Sequence, residues 1–169
     1  MPQTAYRDKY VLVKLITRRN KPPYTVVKFR PSFVIVAATD HGKIILVKKY
    51  REPLERENLE LPAGLKEKRG KTAVEIAKGK LLELGYSAKT WVSLGQFSIE
   101  PSIVATKPFI FLALDATRKP QLNLRTEQDG EVKYEERTWK EIEQLIRQRQ
   151  LTDSFSIAAI YAAKSYLKL

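Results

Sequence analysis

The chain of 169 residues contains no cysteine, one histidine and one methionine, and each scarcity excludes a chemistry. Without cysteine there is no disulfide framework, no thiolate zinc site and no cysteine nucleophile. A single histidine excludes a clustered-histidine metal centre and leaves any histidine general base to His41 alone. Seven glycines and nine prolines are too few for a fibrous chain, and 43% hydrophobic residues are too many for a disordered one. The longest apolar runs, such as residues 157–163, fall far short of the ~20 residues of a membrane span. Neither end reads as a signal peptide. The expectation is a soluble cytoplasmic protein built as one domain over residues 1–169.

What the sequence has in excess is positive charge: 31 Lys and Arg against 19 Asp and Glu, a formal net charge of +12. The excess is uneven, +7 over residues 1–60, +4 over 61–90 and +1 over the remainder. A basic half suggests an anionic partner such as a nucleotide, a nucleic acid or an acidic membrane surface. The competing reading is a solubilising surface, or the lysine-rich composition of a heat-adapted protein.

The first half reads as strands at 9–17, 24–30, 32–38 and 43–49, with 18–23 as a loop containing Pro22 and Pro23. Thr39-Asp40-His41-Gly42 has hairpin spacing, so His41 is expected to be an exposed turn residue. Thr72 and Glu75 form a T-x-x-E capping box for a helix over 72–84, closed by Gly85. Val74, Ala77, Leu81 and Leu84 recur at helical spacing and predict one buried stripe. Strands are expected at 91–97, 107–115 and 131–137. A second capping box at Thr138 and Glu141 opens a helix to about residue 150. The last helix, about 153–167, is apolar nearly all round and is expected to be well buried. This order predicts a mixed α/β sandwich.

Residues 60–86 read ELPAGLKEKRGKTAVEIAKGKLLELGY. The E-L-P-A-G segment, a charged loop, an E-x-A-x-x-x-L-L-E helix and a closing Gly-Tyr resemble a Nudix box. The preceding HGKIILVKKYREPLEREN resembles the ADP-ribose pyrophosphatase branch of that family. The resemblance implies an α/β/α sandwich with a mixed sheet. It also implies an N-terminal antiparallel region over 1–31 that pairs two copies, and a catalytic core over 32–169. It implies a diphosphate-bridged nucleotide as ligand, with Mg²⁺ or Mn²⁺ held by box glutamates and by the backbone of Ala63. Tyr50, Arg51 and Glu60 then become substrate-binding candidates, and Glu127 or Asp129 stands near the loop acid that serves as catalytic base.

The box itself departs from the family pattern G-x5-E-x7-R-E-U-x-E-E-x-G-U. Without gaps from Gly64, the first Glu falls on Gly70, R-E falls on Lys78-Gly79 and E-E on Leu82-Glu83. A second register, with one extra loop residue and one fewer before Gly85, places R-E on Gly79-Lys80. In both, Glu83 is the one helical carboxylate of the core that survives, as metal ligand and catalytic candidate. Glu75 does not replace the others, since eight residues at a rise of about 1.5 Å put it roughly 12 Å from Glu83 along the axis. Gly79 marks either a close approach by another group or a lost side chain, and Lys80 with Glu83 makes at least a surface ion pair.

Three functions follow. One is a Nudix-fold nucleotide binder without hydrolysis, in which Lys78 and Lys80 contact phosphates in place of cations. The second is an active Mg²⁺-dependent pyrophosphatase using Glu83 and a loop acid. The third is an RNA-binding or assembly subunit, with Tyr24, Phe29, Tyr50 or Tyr86 stacking on bases. The missing carboxylates favour the binder over the enzyme.

Overall fold

The computed structural model describes residues 2–66, 70–119 and 133–169. Its centre is set by β4 (Ser32–Thr39), whose side chains are all buried from Phe33 onward. A near-continuous apolar run is what a strand covered on both faces requires. Successive side chains point to opposite faces, and they divide accordingly. Phe33, Ile35 and Ala37 pack with Ala77 and Leu81 of α1 (Ala73–Glu83). Val34, Val36 and Ala38 pack with Ile142 of α2 (Trp139–Arg147) and Ile160 of α3 (Ser154–Leu167). The result is an α/β/α sandwich, as the resemblance implied.

The sheet between the helices is mixed. β4 runs parallel to β10 (Phe109–Arg118) and antiparallel to β5 (Ile44–Arg51). β11 (Lys133–Arg137) borders β5 on one side, while β8 (Tyr86–Ser87) and β9 (Thr90–Gln96) both pair with β10. Two further short strands, β6 (Arg56–Glu60) and β7 (Ala63–Leu65), were not expected. β6 pairs with β5 and β7 with β4, and the chain crosses from one partner to the other at Leu61-Pro62. Proline cannot donate to a ladder, so Pro62 ends one pairing and lets the next begin.

A separate antiparallel sheet holds β1 (Gln3–Arg7), β2 (Val11–Arg18) and β3 (Lys21–Phe29) in that order. The expected 18–23 loop is only a tight turn at Arg19-Asn20, with Asn20 at φ +56°. Pro22 and Pro23 belong to β3, which lies at the sheet's edge, where the missing N–H is tolerated. β3 is tied to the core by the segment after β9. Val27 N–H donates to Ile103 O at 2.8 Å and Ala105 N–H donates to Val27 O at 2.9 Å.

Both helical capping boxes form as expected. Two helix expectations change. α2 stops at Arg147 because Gln148 caps it and Arg149 turns left-handed. α3 buries only the stripe Ser156, Ala159, Ile160 and Ala163, while Tyr161 is half-exposed. Alanines on the outer side made the sequence look apolar all round, but alanine adds little surface to bury. No helix among the described residues is long and apolar enough to cross a membrane.

Candidate functional site

A small, shallow cleft opens between α1 and the ends of β5, β6 and β7. Strand alternation supplies its floor: Val47, Lys49 and Arg51 follow at i, i+2 and i+4 on the face of β5 that looks toward α1. Glu60 stands opposite Val47 in the β5–β6 pairing and joins the same face. Ala63 enters after the Pro62 crossing, and Lys80 and Leu84 close the cleft from the helix.

Packing fixes this arrangement from both sides. The Ser156 hydroxyl of α3 accepts the Leu61 N–H at 2.8 Å, which ties the E-L-P-A-G segment to the opposite helix layer. Gly64 is required by a close approach. A Cβ there would meet Phe33 Cζ at 2.8 Å, and Phe33 is only 1% exposed.

Among the described residues, three of the cleft's side chains are cationic and one is a carboxylate. Glu60 is buried, and it is fully engaged. Arg51 donates to both of its oxygens, from Nε at 3.1 Å to Oε2 and from Nη2 to Oε1, and Asn58 Nδ2 donates to Oε2 at 3.3 Å. Lys80 lies 3.3 Å from Glu83, with only a fifth of its side chain exposed, whereas Glu83 is more than half-exposed at the rim.

The structure thus brings together four of the residues singled out from sequence: Arg51, Glu60, Ala63 and Lys80. Tyr50 alternates to the other face of β5 and is exposed, and Lys78 is exposed on α1. Neither lines the cleft, and neither does Glu83, whose carboxylate is turned to Lys80. Glu127 and Asp129 lie outside the described residues. Glu75 serves the helix cap: the Thr72 N–H donates to it at 2.7 Å and holds its carboxyl below the usual range. Around Gly79 an added Cβ would meet nothing within 4 Å, so no group among the described residues makes the close approach considered for it. Tyr86 is buried, its hydroxyl donating to Glu136 at 2.8 Å, and is not available for stacking. His41 is exposed in its turn, as expected. Lys49 was missed. Its signal was the alternation with Val47 and Arg51, which puts it on the same face as the Arg already chosen.

The three-layer sandwich, with a capped helix closing over the E-L-P-A-G strands, defines a Nudix-type hydrolase fold. It superposes on a crystal structure of an ADP compounds hydrolase with a TM-score of 0.79, covering 99% of this chain and 92% of that one at 20% identity. Over 144 residues the chain is 31% identical to the ADP-ribose pyrophosphatase of Bacillus subtilis (strain 168), spanning 85% of this chain and 75% of that protein. It is 27% identical over the same length to the methanol dehydrogenase activator of Bacillus methanolicus. No protein-family model matches. The chain belongs to the ADP-ribose pyrophosphatase-like branch of the Nudix hydrolases.

That family implies a divalent cation, and the described residues do not fit one. Mg²⁺ asks for several oxygen ligands in near-octahedral array. The one carboxylate that lines the cleft among the described residues is already bonded to Arg51 and Asn58, and the Lys80 ammonium lines the same cleft from α1. Among the described residues no group of three or more His, Cys, Asp or Glu lies together as a metal site.

Proposed function

We propose that this protein binds a diphosphate-bridged nucleotide of the ADP-ribose kind in its cationic cleft, without a divalent cation and with little or no hydrolysis. The observation that carries the reading is Lys80. It lines the cleft from the box helix, where the second register puts it in place of the family's glutamate. Lys49, Arg51 and Lys80 supply donors to the phosphate oxygens, as metal ions otherwise would. Glu60 occupies Nε and Nη2 of Arg51, which fixes the guanidinium plane and leaves Nη1 for a phosphate.

The test is calorimetric titration of ADP-ribose in EDTA and again in Mg²⁺, with AMP release followed in parallel. Equal affinity in both and no turnover support the reading. Binding only with Mg²⁺, together with AMP release at ordinary enzymatic rates, overturns it in favour of an active pyrophosphatase.

A homodimer through the N-terminal sheet is a second element of the proposal. Tyr6, Val11, Val13, Leu15, Val27 and Phe29 share one face by the cross-strand pairing. Neither they nor any other residue of 2–31 belongs to either buried core. Tyr6 and Phe29 are exposed and the four aliphatic side chains are half-buried, and an apolar sheet face of this kind is matched by a second copy of itself. Light scattering on the eluted protein should give two chains, and Val13→Lys should give one. A monomeric wild type refutes it.

A further inference from the structure

The same N-terminal sheet has a second face, and its chemistry is different. The pairing that puts Val13 opposite Val27 puts Leu12 opposite Lys28, Lys14 opposite Val26 and Ile16 opposite Tyr24. Arg7 stands opposite Leu12 from β1. Arg7, Lys14 and Lys28 therefore alternate with apolar side chains on one surface. Residues 2–31 contain eight Lys and Arg and a single acid, Asp8. Asp8 is occupied within its own turn, accepting from the N–H groups of Tyr10 at 2.7 Å and Val11 at 2.6 Å, which hold its carboxyl below the usual range. β1, β2 and β3 themselves carry no acidic side chain.

Aromatic rings lie among these cations. Tyr24 is 38% exposed, and its ring carries the Arg18 guanidinium 4.9 Å from the centroid. Its hydroxyl donates to the Ser102 carbonyl, which anchors the ring to the core. Tyr10, 45% exposed at the end of the sheet, has Lys9 at 4.6 Å and Arg30 at 5.8 Å from its centroid.

We infer that this basic face binds single-stranded nucleic acid, the lysines and arginines tracking phosphates and Tyr24 and Tyr10 stacking on bases. The site is distinct from the nucleotide cleft, whose residues all lie in the core beside α1. Charge complementarity selects a polyanion, since neutralising phosphates with Lys and Arg releases condensed counterions. The exposed rings select unpaired bases, because a ring stacks on a base only when that base is free of its neighbours. An anionic membrane is a poorer match. Leu12 and Val26 are half-buried between the basic residues, so the face offers acyl chains no continuous apolar layer.

The test uses the full chain and a fluorescein-labelled polyuridine of roughly 12 nucleotides, within the span of single-strand sites. Anisotropy is read from about 50 to about 200 mM KCl, with a duplex of equal length and phosphatidylserine vesicles as competitors. Affinity should fall as salt rises, and the double change Lys14→Gln with Lys28→Gln should flatten the log–log slope by about 1.4. Tyr24→Ala should weaken binding about 5-fold or more, whereas Tyr24→Phe, which keeps the ring, should leave it within about 2-fold. Excess ADP-ribose should not displace the oligonucleotide. The inference is overturned by absence of binding at low salt, by an unchanged slope in the lysine variant, or by displacement with ADP-ribose. A preference for duplex or for vesicles overturns it as well. If Tyr24→Ala does not fold, the lysine pair decides alone.

Discussion

Glu83→Gln separates a metal site from a cationic one by the sign of its effect. In the proposed complex a phosphate oxygen sits beside Lys80 at about 4 Å, where an effective dielectric of about 20 gives an attraction of about 4 kcal/mol per unit charge. Glu83 lies 3.3 Å beyond Lys80, so its carboxylate is roughly 7 Å from the same phosphate and repels it by about 2 kcal/mol before screening. Because Glu83 is more than half-exposed, screening reduces this to on the order of 1 kcal/mol, or about fivefold in Kd. Removing that charge, and the ion pair that competes for Lys80, should therefore tighten binding of ADP-ribose about fivefold in EDTA. Lys80→Ala should weaken it by about tenfold or more. Calorimetry on the two variants and the wild type reads both signs. If Glu83→Gln instead weakens binding or abolishes a Mg²⁺-dependent turnover, the carboxylate holds a metal and the cationic account is wrong.

Three other perturbations test the scaffold. Gly64→Ala drives a methyl into Phe33 in the core beneath α1 and should cost about 1–3 kcal/mol of stability by overpacking, read from a denaturant melt. Ser156→Ala removes the acceptor of the buried Leu61 N–H and should cost about 1–3 kcal/mol. It should also loosen the E-L-P-A-G segment, seen as faster amide exchange at Leu61. Burial of Tyr86, and then its hydrogen bond to Glu136, push its hydroxyl well above the ordinary tyrosine range. The fold therefore keeps a proton that the unfolded chain releases above about pH 10. Stability should be level in this respect below that pH and fall above it, and Tyr86→Phe should flatten the alkaline fall.

Patterns carried by neighbouring residues were readable in the sequence. The capping boxes at Thr72 and Thr138, the Gly85 stop and the Ala77-Leu81-Leu84 stripe all rest on contacts within a turn or two, and the structure keeps each one. What the sequence concealed depends on partners far along the chain. β6 and β7 are strands because β5 and β4 present open edges to them, not because RENLE or AGL favours extension. Pro22 and Pro23 read as a loop, yet an edge position accommodates both. In the cleft, Lys78 and Lys80 looked equivalent by type. Two helical positions differ by about 200° around the axis, which puts Lys80 into the cleft and leaves Lys78 in solvent.

The central claim is that lysine, and not a metal ion, meets the phosphates in this cleft. A crystal soaked with ADP-ribose and Mn²⁺, with data collected for anomalous scattering, tests it most directly. The account predicts a diphosphate within hydrogen-bond reach of Lys80 and Arg51 and no anomalous peak in the cleft. An ordered Mn²⁺ on Glu83 and the Ala63 carbonyl would contradict it.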